Sequence, residues 1–147
     1  APGWMGACVV GSPLLRDFLI NKSRPFIYTT ALPLDSVAVL LHRLEKMQHA
    51  DQERKQLRDN CQLIRNLMPN SSPASDLYSP IFPLLVPGVD RVKAMAQQIR
   101  AQQFDVRPII APTVPAGSER LRIILHSFNT PQDIAKFSSL VKRLSEQ

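Results

Sequence analysis

The sequence predicts an α/β fold: over Asp51–Gln147 the order helix, strand, helix, strand, strand, helix makes a layer of three strands covered by helices on one side. Three observations carry this. Val89, Val92, Met95, Ala96 and Ile99, and again Ile134, Phe137, Leu140, Val141 and Leu144, recur at helical spacing. Residues 120–126 alternate with period two, Leu121, Ile123 and Leu125 on one face and Arg120, Arg122, Ile124 and His126 on the other. Clusters of Pro, Gly, Ser and Asn separate the runs, at 69–76 and 112–117.

In chain order, residues 7–11 are a short apolar, β-branched run that reads as a buried strand. Ser12 as N-cap and Pro13 at the first helical position open a helix carrying Leu14, Leu15, Phe18 and Leu19, which ends over 21–25. Residues 26–30 have strand composition, broken by Ala31-Leu32-Pro33. From Leu34 the residues Val37, Leu40, Leu41, Leu44 and Met47 form one helical face. After a polar stretch, Leu57, Cys61, Ile64, Leu67 and Met68 form another, in one long helix or two joined by a bend. The pattern stops at Pro69. Residues 81–86 read as a strand that Pro83 confines to an edge or bulge. A helix follows Pro87-Gly88, then a strand over 104–110 around Pro108, then the rigid loop 112–117. Thr130 as cap, Pro131 first and Asp133 in the first turn open the last helix.

Composition narrows the function classes. The 147 residues are 44% apolar and 20% charged, which excludes a disordered tail, and no apolar run reaches membrane-span length. The 13 prolines are scattered, so no collagen-like or low-complexity pattern exists, and there is no internal repeat. A net charge of +6 favours an anionic partner. The bases form no dense block and aromatic residues are 6%, so a solvated basic surface is favoured over a nucleic-acid platform. Cys8 and Cys61 suggest neither a disulfide framework nor a metal site. Cys8, inside an apolar run, is expected to be a buried free thiol, which fits a reducing compartment. His42, His49 and His126 have no carboxylate or thiol cluster around them, so no metal is expected. The start, Ala1-Pro2-Gly3-Trp4-Met5-Gly6, reads as a chain that begins inside a fold, with the Ala1 nitrogen buried or abutting a further residue.

Three places offer chemistry. Arg120 and Arg122 lie on the face opposite the helices; on pattern alone an exposed, salt-bridged sheet face is favoured over a guanidinium fork for a carboxylate or phosphate. Thr29 and Thr30 end a candidate strand, where completing the strand is favoured over cradling a phosphate. Thr113 offers a hydroxyl at the tip of the proline-shaped loop. Trp4 is either packing or an aromatic wall, and Met47, Met68 and Met95 read as core.

The segments Gly6-Ala7-Cys8-Val9-Val10-Gly11-Ser12, Arg24-Pro25-Phe26-Ile27-Tyr28-Thr29-Thr30-Ala31-Leu32-Pro33 and Pro112-Thr113-Val114-Pro115-Ala116-Gly117-Ser118-Glu119-Arg120-Leu121-Arg122-Ile123 together resemble the α-oxoamine synthases, which are fold-type I pyridoxal-phosphate enzymes. The resemblance runs over essentially the whole chain and covers the C-terminal part of such an enzyme. It implies the end of a fold-type I large domain and the start of an interdomain helix over 1–48. A small C-terminal α/β domain with a mainly antiparallel three-stranded sheet would follow over 49–147. It implies pyridoxal 5'-phosphate as cofactor, and an amino acid joined to an acyl thioester with loss of CO2. The family's Schiff-base lysine would fall immediately before Ala1; Lys22, Lys46, Lys55, Lys93, Lys136 and Lys142 do not match it. By this resemblance no catalytic residue lies in the chain, which would not be active alone. Arg122 matches the binder of the substrate carboxylate, and it is expected to be less exposed than Arg120. Thr113 matches a substrate contact. Thr29 and Thr30 match residues that reach the cofactor phosphate of the partner subunit. A cytoplasmic homodimer with a shared site is implied, with exposed apolar surface around Trp4 and Phe26 and no nucleic-acid or membrane partner. A non-catalytic basic α/β module that binds anions is the reading of another class.

Overall fold

The computed structural model describes residues 3–5, 8–69 and 79–146. Two compact units emerge, Ala1–Ala50 and Asp51–Gln147.

The first unit is helical. Helix α1 spans Pro13–Lys22, with the Ser12 Oγ accepting the Leu15 N–H at 3.2 Å and proline in the first turn. A single turn, α2, spans Arg24–Ile27, and α3 spans Leu34–Gln48 behind Pro33. Two strand expectations fail here. Residues 8–11 hold no strand, and Val9 and Val10 are exposed; no strand exists among the unit's described residues to pair with them, and an unpaired strand leaves its backbone groups unsatisfied. Within 26–30, Phe26 and Ile27 are helical, their N–H groups donating to the Ser23 carbonyl at 3.0 Å each. Pro25, whose fixed φ suits a first helical turn, outweighs the β-favouring side chains around it. Cys8 is exposed rather than buried. No residue of the three helices is buried within the unit, Met47 included, although α3 keeps its apolar face of Val37, Leu41, Leu44 and Met47.

In the second unit α4 spans Asp51–Leu67, so the ambiguous pattern after Leu34 resolves as two helices broken at His49 and Ala50. Strand β1 (Ile81–Leu85), helix α5 (Val89–Ala101), strands β2 (Arg107–Ile109) and β3 (Arg120–Ile124), and helix α6 (Pro131–Ser145) follow. The sheet order is β1-β3-β2 and both pairings are antiparallel. Pro83 and Pro108 therefore sit on the two edge strands, where a missing N–H breaks no inner ladder. Strand β2 is shorter than expected because Phe104 donates its N–H back to Ile99, finishing α5, and Gln103 takes a positive φ of 67°.

The alternation of β3 holds. Leu121, Ile123 and Leu125 are buried with Phe82, Leu84 and Val86 from the β1 segment, Ile64 and Met68 from the α4 segment, Val92, Met95 and Ile99 from α5, and Ile134, Phe137 and Val141 from α6. Phe104 meets Phe137 edge-on, ring centroids 5.4 Å apart. Helix α6 opens on a full capping box between Thr130 and Asp133. The opposite sheet face, with Ile81, Leu85, Arg122 and Ile124, stays exposed. The expectations about the Ala1 nitrogen and, beyond Pro69, about the loop 69–76 lie outside the described residues. No helix among the described residues is long and apolar enough to cross a membrane, and no metal-ligating cluster is found among them.

Candidate functional site

The loop from β2 to β3 is built from the inside out. Thr113 donates its N–H to the Ile110 carbonyl at 3.0 Å, and Ser118 donates to Pro115 at 3.0 Å, so two turns close within the segment. Gly117 takes φ 82°, a left-handed conformation that suits glycine. The loop ends on Glu119, 3% exposed, whose carboxylate accepts the N–H of Gly88 at 3.0 Å and of Gly117 at 3.1 Å. The Gly88 N–H, then its own N–H and that of Gly117, hold the Glu119 carboxyl below the usual 4.5. Its backbone carbonyl accepts the Val86 N–H at 2.9 Å, extending the β1–β3 ladder beyond the Leu85–Arg120 pair.

Beyond this knot stand the two arginines. Arg120 is half-buried, its Nε donating to the Ser118 carbonyl at 3.0 Å. Arg122 is exposed and has no hydrogen bond or ion pair among the described residues. This reverses the expected order of exposure. The folded-back loop gives Arg120 a carbonyl, whereas among the described residues Arg122 has no such partner and stays exposed. Strand pairing sets Arg122 opposite Pro83 on one side and Arg107 on the other; Arg107 makes an exposed ion pair with Asp105 at 3.2 Å. The two arginines are thus neighbours in strand register, with the charge of Arg107 offset by Asp105.

Arg107 and Arg122 line a cavity of about 520 Å³, with Phe104, Ile124, His126 and Phe128 among its walls. His126 and Phe128 stack with centroids 4.8 Å apart and planes 7° from parallel. Thr113 is exposed on the loop that leads into the strand of Arg122. Thr29 and Thr30, in the other unit, are exposed just after α2, and their hydroxyls have no hydrogen bond among the described residues. Two adjacent free hydroxyls are a donor set that fits a phosphate.

Two polar residues escaped the sequence reading. Glu119 shares the inward register of Leu121, Ile123 and Leu125, and a carboxylate in that register is the signal that marks it. Asn60, 1% exposed, lies on the buried face of α4 beside Cys61 and one turn from Ile64; its Nδ2 donates to the carbonyls of His126 at 3.0 Å and Asn129 at 2.9 Å.

Comparison with known proteins adds to this geometry. The family described as aminotransferase class I and II matches residues 1–138. The 8-amino-7-oxononanoate synthase of Pelobacter propionicus is 37% identical over 137 residues, covering 91% of this chain and 35% of that protein. Among solved structures, 8-amino-7-oxononanoate synthase from Francisella tularensis superposes with a TM-score of 0.78 at 24% identity, covering 92% of this chain and 40% of that one. A chain described as SPT with PLP internal aldimine superposes at 0.85 and 21% identity, covering 98% and 38%. These likenesses bear out the fold-type I architecture. The chain spans a little over a third of the length of the curated relatives it matches.

Proposed function

The chain belongs to the aminotransferase class I and II family, and from that premise we propose that it is the C-terminal part of a pyridoxal-phosphate-dependent α-oxoamine synthase. Its substrates are L-alanine and a pimeloyl thioester, and its product is 8-amino-7-oxononanoate, an intermediate of biotin biosynthesis; the name carried by the Pelobacter relative supports this choice. The observation that carries the reading is the unengaged guanidinium of Arg122 on an open sheet face, on the strand that follows the Thr113 loop.

The cofactor supplies an electron sink for a carbanion at the amino acid's α-carbon. This chain's residues do the holding. Arg122 grips the substrate carboxylate through two parallel N–H···O bonds, which orients the α-carbon bonds as well as adding affinity. Thr113 offers a hydroxyl to the bound substrate. Thr29 and Thr30 donate to the cofactor phosphate of the partner subunit, so the site is a property of a homodimer. The exposure of Trp4 (48%) and Phe26 (64%) supports a large apolar contact there. The two free thiols, Cys8 and Cys61, support a cytoplasmic setting.

The test is the absorbance spectrum of the full-length protein with pyridoxal phosphate, titrated in parallel with L-alanine and with glycine. A saturable change of the cofactor band specific to alanine is expected. A response to glycine alone would shift the reading to 2-amino-3-ketobutyrate CoA ligase or 5-aminolevulinate synthase. No cofactor band at all would favour the non-catalytic anion-binding module.

A further inference from the structure

Resting on the reading of Arg122 and Thr113 as substrate contacts, we propose that Glu119 is a positioning residue. It fixes the Thr113 loop relative to the strand that carries Arg122, and Arg120 serves the same end by binding the loop rather than the substrate. One buried carboxylate joins three segments. It accepts from Gly117 at the end of the loop and from Gly88 at the turn before α5, and it directly precedes β3. Both donors are glycines in the left-handed region, φ 82° at Gly117 and 102° at Gly88, so their N–H groups are aimed by a backbone shape that other residues adopt only with strain.

The loop is otherwise self-contained. Its internal backbone bonds, Thr113 and Val114 to Ile110 and Ser118 to Pro115, shape it without reaching another segment. Pro112 and Pro115 stiffen it, so it moves as a body rather than by local adjustment. Four bonds hold its far end: those of the Glu119 carboxylate to Gly117 and Gly88, that of the Glu119 carbonyl to the Val86 N–H, and that of Arg120 Nε to Ser118. Removing the carboxylate takes away the side-chain bonds to Gly117 and Gly88 and leaves the stiff arm that carries Thr113 held at this end by the Val86 and Ser118 bonds alone. The carboxyl is held below its usual range by the Gly88 N–H first, so it stays ionised through neutral pH and acts as a permanent brace rather than a switch.

The experiment uses the full-length protein with cofactor and the variants Glu119→Gln, Gly117→Ala and Arg122→Ala. In Glu119→Gln one side-chain oxygen remains, and the amide NH2 is turned toward an N–H that needs an acceptor. In Gly117→Ala the added Cβ meets nothing within 4 Å, so only the backbone shape is disturbed. The KM for the amino acid is expected to rise about ten- to a hundred-fold in both, as for a contact displaced by about 1 Å. Bound cofactor and circular dichroism should stay at wild-type levels. Hydrogen exchange of residues 112–118 should quicken.

An unchanged KM in both variants, with Arg122→Ala impaired, overturns the positioning role and leaves the substrate reading intact. Activity lost only in proportion to folded protein overturns it as well. If Arg122→Ala also leaves KM unchanged, the substrate reading fails. Exchange over 112–118 then decides whether Glu119 braces the loop: faster exchange upholds the brace and unchanged exchange removes it. Should Glu119→Gln not fold, Gly117→Ala carries the same comparison.

Discussion

Asn60 is the side chain whose removal should tell most about how the second unit holds together. Its Nδ2 donates to the His126 and Asn129 carbonyls at 3.0 and 2.9 Å, and its Oδ1 accepts from Gln56 Nε2 at 3.1 Å. Asn129 in turn accepts the His126 N–H at 2.7 Å through its own Oδ1. The amide thus ties α4 to the turn that joins β3 to α6. Each such bond contributes about 0.5–1.5 kcal/mol net, so losing the two carbonyl bonds in Asn60→Ala should destabilise by about 2 kcal/mol. With a urea slope of about 2 kcal/mol per molar, the unfolding midpoint should fall by about 1 M. The assay is urea denaturation followed by far-UV circular dichroism.

Asn60→Leu is the control, because it keeps the volume and removes only the polar bonds. It should lose about as much as the alanine variant. Asn60→Asp should be worst at neutral pH, where a buried carboxylate faces two carbonyl oxygens. It should recover in part as pH falls, because that burial raises the folded-state pKa and the protonated acid regains one donor. If Asn60→Leu matches wild type within about 0.5 kcal/mol, the hydrogen-bond reasoning is wrong and the site is held by packing alone.

Further expectations follow from the same geometry. Arg122→Ala should raise the amino acid's KM by at least ten-fold in the full-length enzyme while Arg120→Ala does so less, and steady-state kinetics showing the reverse would refute the assignment of the two arginines. Leu121, wholly buried on the central strand, should lose about 2–5 kcal/mol on replacement by alanine, read by the same urea titration. Glu119 and Asp133 both have carboxyls held below their usual 4.5 and 3.8, by the Gly88 N–H and by the Thr130 hydroxyl first. Depressed acids stabilise fully above their unfolded values, so this contribution should be lost as pH falls below about 4.5. Acid titrations of Glu119→Gln and Asp133→Asn should show a flatter decline than wild type.

The helices of the second unit were legible because their signals are local. A cap such as Thr130 with Asp133, or an apolar stripe such as Val92, Met95 and Ile99, specifies its element with little help from distant residues. The strand β3 was legible for the same reason, its period of two surviving intact as burial. Residues 8–11 and 26–30 misled because β-branched and aromatic content reports fitness for a half-buried surface, and a strand also needs a partner. The exposure of Arg120 and Arg122 could not be read either, since alternation puts both on one face and cannot say which of them a returning loop will cover.

By itself, then, the sequence determined the order of elements from Asp51 onward, the inward face of each and the family to which the chain belongs, because periodicity, capping and motif spacing are written within a few residues. Only the tertiary structure decided that β3 runs between β1 and β2, that Arg107 faces Arg122, and that Glu119 reaches back 31 residues to Gly88. Each of these is a pairing between segments far apart in the chain. Register and long-range hydrogen bonds depend on which surfaces meet after collapse, and no short window of sequence carries that information.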